Sequence, residues 1–178
     1  LRQLIFIASL FIFFTTNAQT IGGSSVFNFL KLPASPQLTA LGGVNVSQTG
    51  NDVGMAFYNP ALLTPAMHTQ MNAVFNSFYA GISAYHLSMG YHHAKLNTSF
   101  AGGLHYINYG YIQQTDASGN VNGRFRPRDF VMQVSAARKY LTKWNYGTTF
   151  KYISSNYGQY RSNALAMDMS VLFHDTAK

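Results

Sequence analysis

The sequence has no cysteine and no glutamate. Without cysteine there is no disulfide framework, no thiolate zinc site and no thiol nucleophile. The acids are five aspartates, Asp52, Asp116, Asp129, Asp168 and Asp175. They are spread too widely to make a glycosidase pair or a calcium cage. Charged residues are only 10% of the 178, against about 25% in ordinary soluble domains. The net charge of +7 comes from scattered lysines and arginines. They form no stripe along one element, so nucleic-acid binding is not supported. An anionic membrane surface or lipopolysaccharide is a better use of that charge. Beyond residue 14 no run approaches the roughly twenty apolar residues of a membrane-spanning helix.

What is present begins at the N-terminus. Arg2 precedes the apolar run Leu4–Phe14, and Thr16 and Ala18 give a small-residue cleavage site. That order predicts a secretory signal peptide over 1–18, not a retained anchor. The mature chain then starts near Gln19. A start at Leu1 and an end at Lys178, just after a strand, suggest part of a longer protein. Residues 19–68 are low in charge and broken by proline. We expect a compact, irregular segment packed inside or beneath the strands, with Asn59 capping a short helix that begins at Pro60.

Residues 69–178 read as strands. Six are predicted, at 69–78, 81–92, 98–112, 128–140, 145–155 and 163–173. Most are around ten residues or a little longer, enough to cross a bilayer at the usual tilt. The last pair carries the clearest pattern. Tyr146, Phe150 and Tyr152 share one face, and Leu165, Met167, Met169, Val171 and Phe173 share one face of the next strand. The other faces are small and mostly neutral, apart from Lys151 and Asp168. If the loop is symmetric about Gln159 and Tyr160, Phe150 opposes Met169 and Lys151 opposes Asp168. An apolar outer wall with a small polar interior and a lumenal ion pair is the pattern of a transmembrane β-barrel. Short connections at 94–97 and 141–144 alternate with longer ones at 113–127 and 156–162, as periplasmic turns alternate with surface loops. Six strands cannot close such a barrel, so further strands are expected to complete it.

Catalytic signals are thin. The histidines are His68, His86, His92, His93, His105 and His174. None has zinc-motif spacing, and interfacial or lumenal polar roles account for them. No Gly-x-Ser-x-Gly elbow occurs, and neither Gly22-Gly23 nor Gly102-Gly103 leads into a phosphate loop. Lys151 with Asp168 reads as a structural pair. Arg124, Arg126 and Arg128 alternate on an extended segment. They could meet a phosphate-rich lipid head or an acidic partner, or form a solvated loop edge.

Several stretches carry a resemblance. They are Ile21–Leu30, Leu38–Ser47, Asn51–Leu63, Gly103–Gly110 and Asp116–Asn120. In that order they resemble the PorV/PorQ group, outer-membrane proteins of the type IX secretion system. Asn59-Pro60-Ala61 also resembles the Asn-Pro-Ala of the wider FadL-like barrels. The resemblance implies an all-β, antiparallel barrel of roughly fourteen strands. Residues 19–68 would be the N-terminal hatch. It implies a non-enzymatic role without cofactor or metal: holding a PorZ-like surface protein beside the PorU sortase and its anchor PorV, where cargo is joined to anionic lipopolysaccharide. A FadL-like transport barrel for a hydrophobic or lipid-like substrate is the alternative. A secreted β-sandwich enzyme would need a charged outer face.

Overall fold

The structure is a computed structural model that describes residues 27–43, 45–141 and 143–174. The signal peptide expected over 1–18 lies outside the described residues, as do 19–26. Among the described residues, eight strands form two antiparallel sheets. The strands are β1 (Met71–Ser77), β2 (Ser83–His93), β3 (Thr98–Asn108), β4 (Ile112–Thr115), β5 (Val121–Phe125), β6 (Arg128–Tyr140), β7 (Trp144–Tyr157) and β8 (Tyr160–Phe173). The large sheet has the order β1-β2-β3-β6-β7-β8, and β4 pairs with β5 in a separate hairpin. The large sheet is open, with β1 and β8 at its edges. No helix among the described residues is long and apolar enough to cross a membrane.

Alternation builds the large sheet. On β2, Tyr85, Leu87, Met89 and Tyr91 are exposed while Ala84, His86, Ser88 and Gly90 are buried. On β6, Met132 and Val134 are exposed while Val131, Gln133, Ser135 and Ala137 are buried. On β7 and β8, Phe150, Met167 and Met169 are exposed. The usual order of a water-soluble sheet is reversed: the bulky apolar residues face outward, and the small or polar ones face the covered side.

The outward aromatics gather in cross-strand rows. Phe75 pairs with Tyr85 and Tyr85 with Tyr106 in register, with ring centroids 5.1 and 6.1 Å apart. Phe130 continues that row on β6. At the other end Trp144 meets Phe173 at 4.8 Å and Tyr140 meets Tyr146 at 6.1 Å. Between the rows lie Leu87, Met89, Leu104, Met132, Val134, Phe150, Met167 and Met169. Two aromatic borders thus frame an apolar band on the outward face.

Three expectations about the strands need correction. The β7–β8 connection is not a long loop: Tyr157 pairs with Tyr160, leaving only Gly158 and Gln159 between the strands. Gly158, at φ 71°, takes the first central position, where a type II′ hairpin turn requires positive φ. The register therefore shifts by two residues. Phe150 opposes Met167 rather than Met169, and Asp168 opposes Thr149 rather than Lys151. A shift of two keeps every side chain on its expected face. Finally, 113–127 is not a plain loop, because most of it forms the β4–β5 hairpin.

Candidate functional site

The covered face of the sheet holds the candidate site, and the N-terminal segment covers it. The segment runs through 3-10 turns at Asn28–Lys31, Val53–Phe57, Pro60–Leu62 and Pro65–Met67, and one short helix, α1, at Pro36–Ala40. Each start is set locally. Ser35 Oγ accepts the Leu38 N–H at 3.2 Å at the head of α1. Asp52 Oδ1 accepts from Gly54 N at 2.8 Å and from Asn72 Nδ2 of β1 at 2.7 Å, so the same carboxylate caps a turn and ties it to the wall. Leu38, Met55, Leu62, Leu63 and Met67 are fully buried, and each contributes about 1.5–3 kcal/mol by leaving water.

Asn59, Pro60 and Ala61 form the tightest seat. Asn59 Oδ1 accepts the Ala61 N–H at 3.0 Å, and its Nδ2 donates to Val46 O at 2.5 Å. Pro60 follows that cap at the first helical position, where its missing N–H costs nothing. The Ala61 N–H also donates to Ser170 Oγ of β8 at 2.9 Å. Asn145 Nδ2 of β7 donates to Ala61 O and, at 3.1 Å, to Leu63 O. The backbone of Pro60 and Ala61 passes so close to Gly147 that a Cβ there would collide with both. Gly90 of β2 stands in the same relation to the Met67 carbonyl. The sequence singled out the Asn-Pro-Ala stretch. It did not show Gly147, Asn145 or Ser170 as its receptors, because those lie 82–109 residues away along the chain.

Lys151 and Asp168 do meet, with Nζ and Oδ2 2.6 Å apart. They do so as diagonal neighbours, across the two-residue register shift. The Lys151 Nζ also lies 5.2 Å from the centre of the Phe57 ring. That ring reaches His86 at 4.9 Å and His105 at 5.9 Å. The two imidazoles approach each other with Nδ1 atoms 3.4 Å apart. One aromatic side chain of the N-terminal segment thus lids a layer of three polar side chains on β2, β3 and β7. At the other end of the face, Asp129 is buried, and its Oδ2 accepts from Tyr109 at 2.6 Å and Tyr157 at 2.9 Å. Burial, then that bond to Asp129, push the Tyr109 hydroxyl pKa far up.

The three arginines are not brought together. Arg124 sits on the β4–β5 hairpin. Arg126 donates to Asn108 Oδ1 at 2.7 Å and stacks 5.4 Å over Tyr111. Arg128 opens β6 on the outward face. Pro127 follows β5 and separates two strands of different sheets, so the expected alternation along one extended segment is broken. Among the described residues no three of His, Cys, Asp or Glu are placed to hold a metal. No protein-family model, curated protein or solved structure matches the chain.

Proposed function

We propose that the large sheet is part of the wall of an outer-membrane β-barrel, plugged by its own N-terminal segment. The observation that carries this is the inversion of the sheet: an outward apolar band between aromatic borders, and a polar face whose central strands are covered by the N-terminal segment. Strands β2, β3, β6, β7 and β8 have 11–14 residues, enough for the roughly 9–11 that span hydrocarbon. Open edges cannot stand in lipid, so strands beyond these six close the wall.

Within that barrel the role we propose is docking without catalysis. The protein would be a component of the type IX secretion system that holds a PorZ-like partner near the PorU sortase and PorV, at the site where cargo meets anionic lipopolysaccharide. The resemblance of Leu38–Ser47, Asn51–Leu63 and Gly103–Gly110 supports it, and so does a seat that fastens the plug rather than hinging it. The test is affinity purification of the protein from outer membranes with mass spectrometry of what accompanies it. The surface partner and the sortase complex should be recovered, and a preparation free of both contradicts the docking role.

A transport barrel is the second reading. A cleft of about 270 Å³ between the N-terminal segment and the Trp144 end of the sheet favours it, with Ala61, Leu63, Trp144 and Leu172 among its lining. Purified protein without co-bound lipid, from cells with normal uptake of hydrophobic solutes, contradicts that reading.

A further inference from the structure

We infer that Arg128 and Arg161, at the end of the sheet that carries the long β3–β6 connection, form a binding site for the phosphate of an outer-leaflet lipid, one step above the apolar band. The inference rests on the membrane reading above. Arg128 pairs in register with Asn156, and Asn156 pairs with Arg161. One row across β6, β7 and β8 therefore reads Arg-Asn-Arg. Strands lie about 4.8 Å apart, which puts the two arginine Cα atoms about 10 Å from each other. Guanidinium groups on long side chains reach across that gap.

The row points outward. Arg128 shares its face with Phe130, Met132 and Val134, and Arg161 shares its face with Leu165 and Met167. Both arginines line one recess of about 460 Å³, together with Asn156, Tyr106, Phe130 and Tyr152. The aromatics belong to the rows just below. A ligand seated here would have its anionic group on the arginines and its apolar part running down the band. That order of groups is the order in a phosphorylated lipid.

Among the described residues neither Arg128 nor Arg161 is held by an aspartate. Asp168 pairs with Lys151. Asp52 is held by Gly54 and Asn72, Asp116 by its own turn, and Asp129 by two tyrosines on the opposite face. Arginine suits the task because its planar fork binds phosphate oxygens in pairs. The geometry thus replaces the trio expected from the sequence. Arg128 stays, Arg161 joins it, and Arg124 and Arg126 drop out.

The test uses the purified protein in a neutral detergent, titrated with phosphorylated lipid A, dephosphorylated lipid A and inorganic phosphate, with bound lipid counted by native mass spectrometry. Phosphorylated lipid A should bind saturably and far better than the dephosphorylated form. Arg128→Ala and Arg161→Ala should each weaken binding about tenfold, a factor typical of one charge-assisted contact. Arg138→Ala, on the same outward face but at the opposite end of β6, should leave binding unchanged. Equal binding of both lipid A forms overturns the site, as does insensitivity to Arg128→Ala and Arg161→Ala. Inorganic phosphate that binds as tightly as the lipid overturns the assignment to a lipid source. Failure of the membrane reading is distinguishable, because the protein would then stay soluble without detergent.

Discussion

Gly147 is the residue on which the seat of the plug turns. Its missing side chain is the space that the Pro60–Ala61 backbone occupies. Gly147→Ala should cost about 1–3 kcal/mol through overpacking. It should also make residues 59–63 digestible by protease in the otherwise folded protein, as read by limited proteolysis in detergent. Intact protection of the segment would show that the contact is slack. Lys151 poses a different question. Removing one partner of a fully buried pair costs about 3–5 kcal/mol, but Asp168 keeps 39% of its side chain exposed, so Asp168→Ala should cost about 1–2 kcal/mol. Lys151→Met with Asp168→Leu should recover most of that loss in thermal melts. Residue types alone pointed to the Asn59 cap before Pro60 and to Lys151–Asp168, because a capping asparagine before proline and an isolated charge pair on a neutral face are local signals; Ala61 entered only with the resemblance. The receptors Asn145 and Ser170 are common polar residues with no local signal.

At the level of elements, side-chain alternation disclosed each strand of the large sheet, while the turns misled. Asn156–Ser162 contains residues that suit a loop, yet Gly158 allows the chain to reverse in two residues and the strands to run on. Gly103 on β3 makes room for Gln133 of β6, whose Cγ lies 3.0 Å from where a Cβ would lie. The β4–β5 hairpin was only half visible. Its turn residues stood out, but four or five residues of strand on each side are too few to show a period. That turn makes its own prediction. Hydrogen bonds from the Asn120 backbone N–H and side chain, then from the N–H groups of Ser118 and Gly119, hold the Asp116 carboxyl below its ordinary value of 3.8. A lowered pKa stabilises the folded turn above the ordinary value, and that contribution disappears as pH falls through the lower, folded value. The amide resonances of Ser118 and Asn120 should hold steady from neutral pH down to about 4 and shift only below it. A shift centred at 3.8 or above would show that the carboxylate is not held.

On the scale of the whole molecule, the two faces of the sheet suit different solvents. The N-terminal segment and the polar layer of His86, His105 and Lys151 cover the central strands on one face. The other face carries Tyr85, Leu87, Met89, Met132, Phe150, Met167 and Met169 with nothing over them, an apolar area that water would penalise and lipid would not. Under the membrane reading proposed above, the Arg128–Arg161 row would lie at the headgroup level and the aromatic rows at the interface. The lack of cysteine makes this directly measurable. Single cysteines at Met132, Phe150 and Met167, and at Gln133 and Thr149 as their inward neighbours, can be spin-labelled one at a time in the protein reconstituted into vesicles. The account predicts that labels at Met132, Phe150 and Met167 collide readily with dissolved oxygen and hardly at all with a water-soluble nickel chelate. Labels at Gln133 and Thr149 should be shielded from both. Free collision of the outward labels with the chelate would place that face in water and contradict the account.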